Sequence, residues 1–198
     1  KPNPDLDPEK ISTYEIILEQ YIKNYRFSVS GLYYKARDMI SQQTDPSDGL
    51  IVFRNVDTVE SRGVEFEVQG KWAYNIDGQL SYSYQETTDR GTGRLLTNAP
   101  RHLFKANIHV PIVKQYLSAG IGAQYTSRRR TSAGGETGGF LTTDLNFLSE
   151  GLVKGLEMSA TVYNVFDRKY GDPASNEFRQ DVIPQDGRTF RIKFTYRF

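Results

Sequence analysis

From Phe190 to the last residue the chain alternates without a break. Phe190, Ile192, Phe194, Tyr196 and Phe198 are apolar or aromatic, and Arg191, Lys193, Thr195 and Arg197 stand between them. A period of two marks a strand with one dry face and one wet face. The pattern recurs upstream. Val64, Phe66, Val68, Gly70 and Trp72 alternate with Glu65, Glu67, Gln69 and Lys71, and Phe104, Ala106, Ile108 and Val110 alternate with Lys105, Asn107 and His109. Leu117, Ala119, Ile121, Ala123 and Tyr125 alternate with Ser118, Gly120, Gly122 and Gln124. No stretch of helix length carries a helical period. The alternation predicts nine strands, near residues 11–22, 25–40, 51–72, 77–87, 101–111, 115–127, 140–148, 155–166 and 188–198. Stretch 51–72 exceeds the usual strand of about five or six residues and reads as a barrel strand running on into its loop.

The connections alternate short and long. Lys23-Asn24, AYNIDG, PIVK and SEGLVKG are shorter; SQQTDPSDGL, TTDRGTGRLLTNAP, SRRRTSAGGETGG and the segment from DRKYGDPAS to IPQDG are longer. Successive antiparallel strands put their connections at opposite ends of a sheet. All the shorter turns therefore gather at one end and all the longer loops at the other. A soluble sandwich has no reason to sort its loops, whereas an outer-membrane barrel has short periplasmic turns, longer outer loops, apolar-out and polar-in strands. Lipid offers no hydrogen bonds, so such a sheet must close on itself. Aromatics at strand ends then read as interfacial girdles: Tyr21, Tyr25, Trp72, Tyr74, Phe147 and Phe198 at the turn end, Tyr82, Tyr84, Tyr125 and Phe166 toward the loops. The competing reading is a soluble antiparallel sheet with one dry face. Nine is odd and single-chain bacterial barrels have even strand counts, so the whole of 1–198 is expected to be the C-terminal part of one larger all-β barrel domain.

Composition narrows this little. The chain has 198 residues, a net charge of +1, no cysteine, and 13 Tyr against 1 Trp. The absence of cysteine excludes disulfides and thiolate metal sites. The near-neutral balance argues against nucleic acid as a partner, and the three consecutive arginines of SRRRTS are too few to reverse that.

Five stretches resemble the C-terminal barrel portion of TonB-dependent outer-membrane receptors of the siderophore-receptor type. NPDLDPEKISTYEIILE carries Asn3, Pro4, Leu6, Pro8, Glu9, Tyr14, Glu15, Leu18 and Glu19 in that family's spacing. NVDTVESRGVEFEV supplies Asn55, Gly63, Val64, Glu65 and Glu67, and NAPRHLF supplies Asn98, Pro100 and His102. VYNVFDRKY supplies Asn164, Phe166, Asp167 and Tyr170; the terminal segment supplies Gly187, Arg188, Phe190, Tyr196 and Phe198, with Gln185-Asp186 interrupting the family's Pro-Gly-Arg. The resemblance covers essentially the whole chain. It implies a barrel of about 22 strands, filled by an N-terminal plug, in the outer membrane of a Gram-negative bacterium. It implies energy-coupled uptake of a scarce nutrient, most often a ferric siderophore, driven through the TonB protein, which grips a segment ahead of the plug. Neither plug nor segment lies in these 198 residues, so the expected partners are outer-membrane lipid, the plug and remaining barrel of the same protein, TonB, the barrel-assembly machinery and the ferric siderophore.

Several residues invite a role. In the family the last strand, here Phe190, Ile192, Phe194, Tyr196 and Phe198, resembles the signal read by the assembly machinery; the plainer role of Phe198 is a girdle aromatic, and both are compatible. Glu65, Glu67, Lys71, Arg191, Lys193 and Arg197 are expected to face the lumen and the plug, or simply its water. Arg128, Arg129 and Arg130 form a candidate ligand loop, since a cationic patch attracts an anionic ferric chelate; the plainer alternative is a solvated loop. His102 and His109, seven apart, fall on opposite faces and cannot share a metal. TDPSDG lacks calcium-loop spacing. No nucleophile or cleft accompanies Glu65 and Glu67, so no enzyme and no cofactor is expected. A passive outer-membrane channel and a soluble β-rich binding module remain as alternative functions.

Overall fold

The computed structural model describes residues 1–56, 58–113, 116–175 and 177–198. Asp57, within the predicted third strand, and Lys114 and Gln115, at the predicted fifth turn and the head of the sixth strand, lie outside the described residues.

Fifteen strands are formed among the described residues. They are β1 (Lys10–Ile22), β2 (Tyr25–Arg37), β3 (Met39–Thr44), β4 (Ile51–Val56), β5 (Val59–Lys71), β6 (Asp77–Asp89), β7 (His102–Val113), β8 (Leu117–Thr126), β9 (Arg129–Arg130), β10 (Glu136–Thr137), β11 (Phe140–Val153), β12 (Leu156–Tyr163), β13 (Gly171–Pro173), β14 (Val182–Pro184) and β15 (Thr189–Tyr196). Nine of them make one antiparallel up-and-down sheet in the order β1-β2-β5-β6-β7-β8-β11-β12-β15. The other six pair as hairpins, β3 with β4, β9 with β10 and β13 with β14, each inside one of the long loops. The nine predicted strands are all present, and the loops sort to the two ends as the pattern requires.

Three boundaries differ. The stretch 51–72 is two strands: β5 joins the main sheet, while β4 pairs with β3. Asp38 adopts a left-handed conformation (φ 57°) that turns the chain out of the sheet after Arg37, so the second strand stops short of residue 40. Alternation reads the same in a loop hairpin as in a barrel strand, which is why the pattern merged them. Similarly, SEGLVKG is mostly strand: β11 continues to Val153 across a register shift, leaving Lys154-Gly155 as the turn.

The registers stack like residues into rows. One row runs Leu18, Val29, Phe66, Tyr82, Phe104, Tyr125 and Leu141 across seven strands. The row beside it, on the opposite face, runs Glu19, Ser28, Glu67, Ser81, Lys105, Gln124 and Thr142. Burial does not follow apolarity as it does in a water-soluble protein. Phe66 is 47% exposed and Phe194 64%, whereas Ser61, on the polar face beneath the loops, is 1% exposed. The buried apolar residues among those described are Ala36, Val52, Val59, Phe140 and Ala174. The oily face thus covers no core, and lateral hydrogen bonding rather than a packed interior joins the strands.

Facing glycines seat the turn-end aromatics. Gly70 and Gly78 pair across β5 and β6 on the oily face, and Tyr25 and Trp72 lie over them, ring centroids 6.2 Å apart and edge to face. A Cβ on Gly78 would come within 3.0 Å of Trp72. Tyr21 does not belong to this girdle: it pairs with Arg26 and so lies on the polar face.

Candidate functional site

The polar face carries all six residues expected to line a lumen. The Arg26 guanidinium bonds the carboxylates of Glu19 and Glu67 and donates to Gln69 Oε1 at 3.3 Å. Gln79 Nε2 donates to Glu67 Oε2 at 2.9 Å, so Glu67 is an anchored member of a network. Glu65 sits between Ser30 and Ser83 in the ladder. Lys71 pairs with Asp77, whose carboxylate meets His109 Nδ1 at 3.1 Å. Farther round, Arg191 faces Thr161 and Lys193 faces Ser159, and Arg197 lies 3.7 Å from Glu157. His102 points the other way, its Nδ1 2.8 Å from the Tyr82 hydroxyl, within the loop-end aromatics. The two histidines are on opposite faces, as their spacing requires.

This wall is hollowed at β8, where Gly120 and Gly122 occupy two successive polar-face positions. A recess of about 970 Å³ opens toward the turns, lined by Arg26, Lys71, Asp77, His109 and Asn146 among others. A second, of about 410 Å³, lies under the loops, lined by Lys105, Gln124, Arg129, Phe140 and Tyr170. The two share Asn107, Gly122 and Asp144. Both carry side-chain donors and acceptors able to pair with a polar ligand. Among the described residues no cluster of three His, Cys, Asp or Glu is placed to hold a metal.

The three arginines of the loop 127–139 have three different settings. Arg128 is exposed and lies 3.4 Å from Glu136. Arg130 donates to the Leu95 carbonyl at 3.0 Å. Arg129 is turned inward, its side chain only 9% exposed. It donates to Asn98 Oδ1 at 3.0 Å, to Asp172 Oδ1 at 2.5 Å and to the Gly171 carbonyl at 3.3 Å. Its guanidinium lies 5.7 Å from the centre of the Phe140 ring, which stacks on Tyr170 at 4.1 Å. One side chain therefore ties the loops 90–101, 127–139 and 164–188 together over the smaller recess. The three are thus separated in setting: Arg128 is exposed, Arg130 is half-buried and held by the Leu95 carbonyl, and Arg129 is turned inward and engaged by protein.

Geometry gives the sequence motifs their physical reasons. The Asn55 amide donates to the Asp7 and Asp38 carbonyls at 2.8 and 2.6 Å, and the Glu9 carboxylate accepts from Ile40 N at 2.7 Å; both stitch the N-terminal segment to the β3–β4 hairpin. A Cβ on Gly63 would stand 2.7 Å from the Tyr84 carbonyl oxygen, a clash with backbone that only glycine avoids. Asn164, buried and at φ 49°, accepts from Arg168 N and donates back to the Arg168 carbonyl, and its own N–H donates to Asp144 Oδ1 at 2.8 Å. Asp167 Oδ1 accepts from Arg188 N at 2.8 Å, and a Cβ on Gly187 would press against that same oxygen. Asn98, Phe140, Asp144 and Tyr170 were not singled out as site residues by sequence reasoning. Asn98 and Tyr170 lay inside motifs; Phe140 and Asp144 had no local signal.

The Arg188 N–H, with Lys169 beside it, holds the Asp167 carboxyl below the usual carboxylate range. Its folded value lies below the unfolded value of about 3.9, so its contribution is complete above that pH and is lost as pH falls through the folded value. Peptic cleavage within 164–188 is expected to rise as the pH is taken from 4 toward 2, and Asp167→Asn should be cleaved readily at both ends of that range.

The family model described as "TonB dependent receptor-like, beta-barrel" matches residues 1–165. The chain belongs to the TonB-dependent receptors. This family is one of receptors rather than enzymes, and its barrels lie in Gram-negative outer membranes. Two ferric-pyoverdine receptors of Pseudomonas putida are similar to the chain. One, for pyoverdine BN7/BN8, is 32% identical over 117 residues, covering 56% of this chain and 14% of that receptor. The other, for pyoverdine 358, is 27% identical over 177 residues, covering 83% of this chain and 22% of that receptor. A solved copper transporter superposes with a TM-score of 0.79 at 19% identity over 98% of this chain and 32% of its own length, which shows the shared fold. The chain spans 14% and 22% of the length of the two pyoverdine receptors and 32% of that of the copper transporter.

Proposed function

We propose that the chain is the C-terminal wall of an outer-membrane receptor that imports a scarce nutrient, a ferric siderophore, by an energy-coupled step. The observation that carries this is the placing of the two faces: an oily face with no protein core against it, and a hydrogen-bonding face whose loop end, at Ser61, Thr87 and Arg129, is buried beneath tied loops. The similar ferric-pyoverdine receptors support iron chelates as the ligand class. In this reading the plug and the remaining strands of the same protein complete the lumen, Glu65, Glu67, Lys71, Arg191, Lys193 and Arg197 face the plug, and TonB acts through a segment ahead of it. Arg128, exposed on its loop, and Arg130, half-buried beside it, meet the anionic chelate. β15 is one edge of the nine-stranded sheet; Phe190, Ile192, Phe194, Tyr196 and Phe198 along it are the assembly signal, since a partner can read a strand edge by adding to it.

The test is a binding titration of the full-length protein in detergent against ferric hydroxamate and catecholate chelates, cobalamin and haem. Saturable binding of a ferric chelate, weakened about tenfold by neutralising Arg128 and Arg130 together, is expected. Binding of cobalamin or haem alone would refute the ligand class, and open ion conductance by the full-length protein would favour a passive channel.

A further inference from the structure

The oily face is not uniformly oily. At the loop end of β2, β5 and β6 its outward positions are charged. Lys35 Nζ lies 3.1 Å from Glu60 Oε1, and Arg90 Nε donates to Glu60 Oε2 at 2.7 Å. One step nearer the membrane, Arg62 lies 3.0 Å from Glu86 Oε1 and Arg101 lies 3.2 Å from Glu86 Oε2. Each carboxylate is shared by two cations, so each cluster retains one positive charge. Arg62 is 75% exposed, and its guanidinium keeps free donors. On β8 and β11 the outward positions at the same end are Tyr125 and Leu141, without charge. The cations therefore gather on one side of the sheet, Lys35 and Arg62 on β2 and β5 with Arg90 and Arg101 from the loop that follows β6, and Lys10 and Arg37 flank them at the ends of β1 and β2.

Directly below the patch β1, β2, β5 and β6 form a groove of about 790 Å³, lined by Tyr14, Ile16, Gly31, Tyr33, Val64 and Tyr84, with Arg62 at its head. Its floor is Gly31, where a Cβ would meet nothing within 4 Å. The tyrosines place amphipathic rings at headgroup level.

We propose that this surface is a binding site for one phosphorylated, multiply acylated lipid of the surrounding leaflet. Its phosphates pair with the two cationic clusters, and one acyl chain lies in the Gly31 groove. The inference rests on the outer-membrane reading above. Two clusters of net charge +1, about 7 Å apart along a strand, match two phosphates. Arginine forks take phosphate oxygens in bidentate fashion, which a solvated ammonium does not. A neutral lipid would leave the spare charges unpaired.

The full-length receptor is reconstituted in phosphatidylcholine nanodiscs doped with diphosphorylated lipid A, extracted in neutral detergent, and the retained lipid measured by mass spectrometry. The wild type is expected to retain lipid A over phosphatidylcholine. Arg62→Gln with Arg101→Gln should lower retention about tenfold, and Gly31→Leu, which fills the groove without touching a charge, should lower it several-fold. Equal retention by the wild type and both variants overturns the proposal. So does displacement by excess inorganic phosphate, which would mark a free-anion site. Should the charge variant fail to fold, judged by heat-modifiable gel mobility, Gly31→Leu alone decides. Failure of the wild type to enter nanodiscs refutes the outer-membrane reading itself, whereas insertion with variant-independent lipid retention refutes only the lipid site.

Discussion

Phe66→Arg is expected to cost about 2–4 kcal/mol of folded-state stability in a bilayer, the depth-dependent penalty of a cation on the lipid face of a barrel. Phe66 stands midway between the Tyr25–Trp72 girdle at the turns and the tyrosines at the loops, in a row that contains Val29 and Tyr82 and no charge. An arginine there has no carboxylate beside it and must reach several residues along the strand for water. The companion substitution Ser83→Arg lies one row away on the other face, opposite Glu65. It gains a counter-charge and keeps its water, so a change within about 0.5 kcal/mol is expected. Urea titration of the full-length receptor folded into vesicles measures both. The reverse outcome, with Ser83→Arg damaging and Phe66→Arg neutral, would mean that the wet and oily faces had been exchanged. If both were neutral the sheet would not lie in lipid.

The pair tests what was most legible in the sequence. Alternation at Val64, Phe66 and Val68 against Glu65 and Glu67 fixes which residues share a face, because side chains on a strand have a period of two whatever surrounds them. Sorting of loop lengths fixes which end is which. Neither property distinguishes a barrel strand from a hairpin within a loop, so Met39 and Ile40 are read as the end of the second strand and IVFRNV as the start of the third; the backbone turn at Asp38 that parts β3 from β2 depends on the conformation of one residue. The least legible feature was the division of labour among Arg128, Arg129 and Arg130. Three identical neighbours differ only in what the other loops present to them, and Asn98 and Asp172 come from 31 and 43 residues away. The motif residues fall between these extremes: Asn164, Asp167 and Gly187 were visible as a pattern, but their mutual dependence, in which Asp167 leaves no room for a side chain at Gly187, appears only in three dimensions.

Arg129→Ala is expected to loosen three loops together while leaving the sheet intact. The truncation removes the donors to Asn98, Asp172 and the Gly171 carbonyl and uncovers the Phe140 ring. Breaking a fully buried ion pair costs about 3–5 kcal/mol because the remaining charge is stranded. Asp172 retains 40% exposure and turns partly to water, so the lower figure of about 2–3 kcal/mol applies. At 1.4 kcal/mol per decade this is a loss of about 30- to 150-fold in the protection of amides around Asn98, Thr131 and Asp172. Amides of β5 to β8 near Phe66 and Ile108 should keep their protection, since their ladder does not pass through the loops. Arg129→Lys keeps the charge but lacks the planar fork that serves Asn98 and Asp172 at once, so an intermediate loss is expected. Hydrogen exchange of the full-length receptor measures all three. Loss confined to 127–139 would show that Arg129 does not join the loops, and loss spreading into β7 and β8 would show that the clasp supports the wall itself. If ligand is gathered beneath these loops, Arg129→Ala should also weaken ferric-chelate binding, although Arg129 is placed to hold the roof over the recess rather than to touch the chelate.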